Sequence, residues 1–209
     1  MLRARLKRGR RAWAEAHGWS FTEKSSVPPD VMTGSPPRPE TVEVTHEMRG
    51  RFGTREAFVH DRAPFVGGTQ VSQFFRSVSG VRVAAPLPRA YAYFPGGDLV
   101  SGFRDLKLRA YLTPHVSGFE HYRDVHRTRS HIWCQPGGGP HLMHALHAVL
   151  EAPLPAAPGT AGRHRRIMFA TGEGWVLACD PLALDVEADV QRLAMAAAIA
   201  RRAESTYAH

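Results

Sequence analysis

Thr41-Val42-Glu43-Val44-Thr45, followed by Arg49-Gly50-Arg51-Phe52-Gly53 and then Ala57-Phe58-Val59-His60, is the stretch that decides the fold. Its first and last pieces carry β-branched and aromatic residues in strand-like alternation, and the glycine-bearing middle supplies a turn, so the spacing predicts a β-hairpin. Further on, Gln70 to Phe75, Val81 to Ala85 and Arg89 to Phe94 read as short strands, cut by Ser79-Gly80, Pro86-Leu87-Pro88 and Pro95-Gly96-Gly97. Strands this short and this often punctuated do not fit parallel crossovers, so the middle of the chain reads as an antiparallel meander. Ile167 to Ala170 and Trp175 to Cys179 flank Thr171-Gly172-Glu173-Gly174, a second hairpin signature.

Helical patterns frame these strands. Leu2, Leu6, Gly9, Trp13 and Ala16 recur at steps of four and three, which predicts an amphipathic helix ending near His17, with Gly18 as its C-cap. Gly137-Gly138-Gly139-Pro140 opens a second helix running to Ala152, with proline at its first turn. Asp185 caps a long third helix: Glu187 and Asp189 suit its positive end, Arg201 and Arg202 its negative end, and Val186, Val190, Leu193 and Ala197 its buried stripe. Phe119 to Cys134 is compatible with strand, loop or both, and Leu106 to Leu112 is equally open. The fold class is α+β, an antiparallel sheet (meander plus C-terminal hairpin) with N-terminal, middle and C-terminal helices packed on it. Five prolines between Ser25 and Glu40 exclude helix and central strand there. The expected organisation is therefore a basic helix and turn at 1–24, a proline-rich connector at 25–40 and a single domain at 41–209.

At 209 residues the chain can bury a sizeable core, and its formal net charge is +8. Residues 1–25 hold seven Lys or Arg against Glu15 and Glu23, a balance of +5, so most of the excess lies at one end. Lysine occurs only at Lys7, Lys24 and Lys107 while arginine and alanine abound, a bias that resembles high-GC coding and accounts for part of the charge. No apolar run follows the basic start, so a secretory signal is not expected, and Ala194 to Ala200 is far short of a spanning segment. With two cysteines and no disulfide framework, the expected location is cytoplasmic, with peripheral contact to a membrane as its extension.

The candidate binding residues are the cations of the first helix, Arg3, Arg5, Lys7, Arg8, Arg10 and Arg11, and those of a glycine-flexed loop, Arg163, Arg165 and Arg166. Such charges fit an acidic protein partner, an anionic membrane surface or, non-specifically, nucleic acid, and they equally describe a solvated face over docked Leu2, Leu6 and Trp13. Seven of the twelve histidines fall between His115 and His147. His131, Cys134, His141 and His144 form the ligand inventory of a zinc enzyme, but the helical spacing of three among His141, His144 and His147, without the carboxylate of a metalloprotease, favours a polar helix face. Val-Ser-Gly at Val78, Val100 and Val116 is not a nucleophile elbow and reads as turns or bulges. Cys134 and Cys179 lie among large apolar residues, the setting of inert core thiols. Gly137-Gly138-Gly139 offers backbone amides to an anion but lacks Walker or dinucleotide spacing. No catalytic residue is assigned.

Ala12-Trp13-Ala14-Glu15-Ala16-His17-Gly18-Trp19-Ser20-Phe21, then a strand into Met48-Arg49-Gly50-Arg51, a meander closing at Ala85-Pro86-Leu87-Pro88-Arg89 and a final hairpin with a long helix, resemble an actinobacterial family of soluble domains that is itself similar to the cytosolic domain of trehalose monomycolate transport factor A. The resemblance implies a non-enzymatic partner of a lipid exporter. The chain departs from that pattern in that no membrane anchor is expected ahead of the helix and in the His115 to His147 region, and no site residues are carried over. The expectation is a non-catalytic cytoplasmic interaction protein; a non-specific nucleic-acid-binding protein and a metal-dependent enzyme are the alternatives.

Overall fold

The computed structural model describes residues 2–27, 42–62, 77–84, 87–94, 117–123, 131–150, 167–180 and 185–207. The first helix, α1, spans Leu2–Ala16 and ends where its glycine predicts. Gly18 takes φ +69°, the Trp19 amide donates to the Ala14 carbonyl at 2.8 Å, and the Gly18 amide reaches the Glu15 carbonyl at 3.5 Å. That pair of bonds is a Schellman cap, and Trp19 folds back into the core beside Ala14.

The chain leaves the cap directly as a strand. β1 (Ser20–Val27) pairs antiparallel with β2 (Val42–Phe52), so Ser25, Ser26 and Val27, expected to begin the connector, extend the sheet instead. β2 continues through Arg49-Gly50-Arg51, and the turn to β3 (Arg55–Arg62) lies at Gly53-Thr54, later than predicted. Gly50 is needed for close approach rather than for a bend: a Cβ there would run into the Trp19 ring. β4 is Ser77–Arg82, earlier than the predicted Val81 to Ala85. It carries Val78-Ser79-Gly80, expected to be a turn, through the middle of the sheet, because the bare Gly80 makes room for the Phe58 ring and Leu177.

β5 (Ala90–Phe94), β6 (Glu120–Arg123), β7 (His131–Cys134), β8 (Ile167–Gly172) and β9 (Trp175–Asp180) complete the strands among the described residues. Their order is β1-β2-β3-β4-β9-β8-β5-β7-β6, with every pair antiparallel. The meander is therefore split: the β8–β9 hairpin inserts between β4 and β5. Its tight loop has φ of +52° at Glu173 and +79° at Gly174, the doubly positive geometry of a type I′ turn.

α2 (Gly139–Leu150) and α3 (Val186–Tyr207) join α1 on one face of the sheet. Asp185 caps α3 as predicted, its Oδ1 accepting from the Ala188 amide at 2.7 Å. The predicted stripe of α3 holds only in part, since Leu193 and Ala197 are buried but Val186 and Val190 are half-buried. Met195, Ala196, Ile199, Ala200 and Ala203 are also buried, and this breadth of burial marks a central helix whose alanines let it lie close to β4 and β9. The principal core combines these residues with Met48, Val59, Val81, Ile132, Phe169 and Val176 from the sheet and Leu142 and Leu146 from α2. On the opposite face Phe58, Val78, Tyr91, Trp133, Met168, Leu177 and Cys179 form a second buried cluster. The expected strand at Gln70 to Phe75, the segment Leu106 to Leu112 and the rest of the connector lie outside the described residues.

Candidate interaction surface

α1 docks through Leu6, Arg10 and Ala14, a stripe of strict four-residue steps in which the central member is an arginine. The expected stripe through Gly9, Trp13 and Ala16 is thus rotated, with Gly9 and Trp13 half-buried and Ala16 exposed. Arg10 is 0% exposed and is no surface cation. Its Nε donates to Asp189 Oδ2 at 2.7 Å and its Nη2 to Asp189 Oδ1 at 3.1 Å and Ser77 Oγ at 2.7 Å. Its Nη1 donates to the His46 carbonyl at 3.2 Å and pairs with Asp61 Oδ1 at 2.9 Å. Four elements thus meet on one guanidinium: α3 through Asp189, β4 through Ser77, β3 through Asp61 and β2 through His46.

Local geometry makes this possible. The β2–β3 register shifts between Thr45 and Met48, and His46 adopts φ +53°, which turns its carbonyl to Arg10 and its Nδ1 to Asp61 Oδ2 at 3.2 Å. Arg192, one turn beyond Asp189 on α3, donates Nη2 to Asp189 Oδ1 and, at 2.9 Å, to Ser77 Oγ. Burial pushes Arg10 toward losing its proton, but Asp189 and Asp61 more than offset this and its pKa rises above the ordinary arginine value. The sequence signal for this network was present: Asp189 shares a helix face with Leu193 and Ala196, and a carboxylate there requires a buried cation.

The remaining cations of α1 divide. Lys7 and Arg11 converge on Glu23 of β1 at 2.8 and 2.6 Å, and the Arg11 guanidinium also lies over the Phe21 ring. The hydrogen bond from Lys7, reinforced by both positive charges, holds the Glu23 carboxyl below its usual range. Arg5 and Arg8 are exposed, one turn apart, with no ion pair to the described residues. The Arg3 side chain and the loop residues Arg163, Arg165 and Arg166 lie outside the described set.

The histidine and cysteine inventory does not assemble. His131 and Cys134 lie on β7 three residues apart and point to opposite faces of the sheet, while His141 and His144 are exposed on α2. Among the described residues no three His, Cys, Asp or Glu side chains are grouped as metal ligands. Cys134 and Cys179 are free and buried, and burial, with the Glu120 charge behind it, pushes the Cys134 thiol up to about 11. The Gly137 and Gly138 amides are likewise engaged internally, that of Gly138 with the Gln135 carbonyl at 3.2 Å. Gly137 N–H donates to Glu120 Oε2 at 3.2 Å, a Cβ on Gly138 would lie 2.6 Å from Pro88 Cγ, and one on Gly139 would run into the Tyr122 ring. The anion that this turn holds is the chain's own Glu120.

No described helix is long and apolar enough to cross a membrane. No protein-family model matches the chain, and no curated protein matches it. Among solved structures it is similar to the mycobacterial trehalose monomycolate transport factor A, at a TM-score of 0.55 and 10% identity, over 94% of this chain and 93% of that one. At that identity the likeness is one of fold.

Proposed function

We propose that this chain is a non-catalytic cytoplasmic interaction protein that meets an acidic protein partner through the outer face of α1. The observation that carries the reading is the division of the helix's cations: Arg10 fixes α1 to the body, and Arg5 and Arg8 are left facing outward. The first turn of α1 contains no acidic residue, so the arginines add to the positive end of the helix dipole instead of cancelling it. That arrangement costs a little helix stability and concentrates positive potential where an anionic group would approach.

A protein partner fits better than a lipid surface. Interfacial helices hold membranes by sinking their apolar side, and here Leu6 and Ala14 are already buried against the sheet. Charge alone then contributes about 1 kcal/mol per basic residue near an anionic leaflet, too little from the Arg5 and Arg8 face of α1 by itself for stable attachment. The fold likeness to a protein named as a transport factor supports an accessory role of the same general kind, and the Arg163 to Arg166 loop is a second contact within the proposal.

Affinity capture from extracts of the source cell tests it, comparing the native chain with an Arg5→Ser/Arg8→Ser variant, with anionic vesicles and duplex DNA as parallel arms at low salt. A protein retained by the native chain and lost from the variant supports the reading. Equal retention by both, or binding to vesicles or DNA alone, rejects it.

A further inference from the structure

On the sheet face away from the helices, His121 of β6 and His131 of β7 meet through Nε2 and Nδ1 at 3.1 Å, with ring planes 4° apart and centroids 5.4 Å apart. A ring nitrogen lies about 1.1 Å from its own centroid, so this separation places both nitrogens on the line between the ring centres. The rings are therefore nearly coplanar and joined edge to edge. Two ligands of one metal ion aim their lone pairs at a common third point, whereas these lone pairs are aimed at each other. The arrangement requires a proton on one nitrogen and a lone pair on the other.

We infer that His121 and His131 form a proton-sharing pair that ties the edge strand β6 to the sheet and releases it when both rings are protonated. In the neutral pair one N–H donates to the facing nitrogen. A first proton, taken up at a nitrogen remote from the contact, makes one ring an imidazolium and the bond charge-assisted. A second leaves two N–H donors and two positive charges head to head, so the bond is lost. Exposure is asymmetric: His121 is exposed, whereas His131 is 3% exposed. Solvent protons therefore enter through β6.

The neighbours on this face shape the response. Trp133 stacks on His121 at 4.9 Å and 12°, which favours the charged ring, and Arg123 sits opposite His131 in the β6–β7 register, which opposes further charge. On the β5 side, Tyr91 and Tyr93 occupy the positions opposite Trp133 and His131. Glu120 and Tyr122 alternate to the other face of β6 and hydrogen-bond to each other there. β6 has only four residues; besides its ladder to β7 it is held on the helix side by Tyr122 against the core and Glu120 on the Gly137 amide, and on this face by the His121–His131 pair. A detached strand binds both protons near the ordinary histidine value of about 6.5, while the paired form binds the second only at lower pH. Below that value the detached state holds more protons, and β6 pairing weakens as pH falls.

Histidine-resolved NMR titration of the whole chain tests this, together with amide exchange at pH 7.5 and pH 5. The expected result is two coupled steps separated by more than about one pH unit, and exchange of the β6–β7 amides about tenfold faster, relative to the β2–β3 amides, at pH 5. The conservative variant His121→Gln, on the exposed side, leaves His131 titrating in a single step and removes the pH dependence of β6 exchange. His121 and His131 titrating independently with coincident midpoints, or β6 exchange unchanged between the two pH values, overturns the inference.

Discussion

Replacing Arg10 with methionine tests whether α1 is held by its buried guanidinium or merely carries it. The substitution keeps an unbranched, helix-compatible side chain and removes every polar contact at the site. Asp61 is 19% exposed and keeps His46 as a partner, so it can recover water. Asp189 is 1% exposed and cannot; it loses both Arg10 bonds and keeps only Arg192 and Ser77. Removing one partner from a buried pair typically costs 3–5 kcal/mol, and because Arg192 remains, the expected loss is about 3 kcal/mol. With a urea dependence of about 2–3 kcal/mol per molar for a chain of this size, the unfolding midpoint should fall by about 1–1.5 M. Circular dichroism follows the sheet, and tryptophan fluorescence follows the Trp13–Trp19 edge contact, 5.2 Å between centroids, which reports docking of α1. Arg10→Lys should fall between the two proteins, since an ammonium cannot reach Asp189, Asp61, Ser77 and the His46 carbonyl together. Arg8→Met should stay within about 0.5 kcal/mol. If Arg10→Met matches Arg8→Met, the buried network does not anchor the helix and the reasoning fails.

Two further substitutions probe the sheet and its edge. Gly80→Ala should destabilise by about 1–3 kcal/mol in thermal unfolding, because the added methyl meets the Phe58 ring in the middle of the sheet, whereas an unchanged transition would place the Val78-Ser79-Gly80 strand wrongly. Tyr122, whose hydroxyl donates to Glu120 and whose ionisation is further opposed by desolvation and by the Glu120 charge, is pushed up to about 12. An unfolded tyrosine ionises near 10, so this contribution to stability is complete below about pH 10 and is lost as pH rises toward 12. In an alkaline absorbance titration the native chain should hold a late-ionising tyrosine that Glu120→Gln moves to lower pH; a titration curve unchanged by Glu120→Gln would contradict the contact.

The parts of the fold that were legible in the sequence are those set by local chemistry. Gly18, Asp185 and the Glu173-Gly174 pair stand at a cap, a cap and a turn whose backbone geometry a few neighbouring residues dictate. What was not legible depends on partners far along the chain. Gly50 and Gly80 are as compatible with a turn as with a strand until the Trp19 and Phe58 rings lie over them. The split of the meander is similar, since a hairpin near the C-terminus gives no sign of which strands it will separate. His131 and Cys134 share a metal-like spacing in sequence, but the alternation of a strand sends them to opposite faces.

The basic helix shows the same limit in electrostatic terms, and it narrows the kind of partner. Counting residues gives six cations on α1, yet their positions make them unequal. Arg10 is neutralised inside the protein by Asp189 and Asp61, and Lys7 and Arg11 share the single Glu23 carboxylate, which leaves that trio one net positive charge, so Arg5 and Arg8 are the described α1 cations with no acidic partner among the described residues. A nucleic-acid duplex rewards many phosphate contacts, each adding about 0.9 to the salt slope, and two arginines supply a slope near 2 with correspondingly weak binding. An acidic protein gains more from the same pair: a carboxylate can engage each guanidinium through two parallel bonds, and a helix fixed by Arg10 presents both side chains from a fixed backbone. The buried arginine that looked like part of the binding surface thus acts on binding by holding the other two still, and loss of Arg10 should weaken partner capture through undocking of α1 even though it touches no partner.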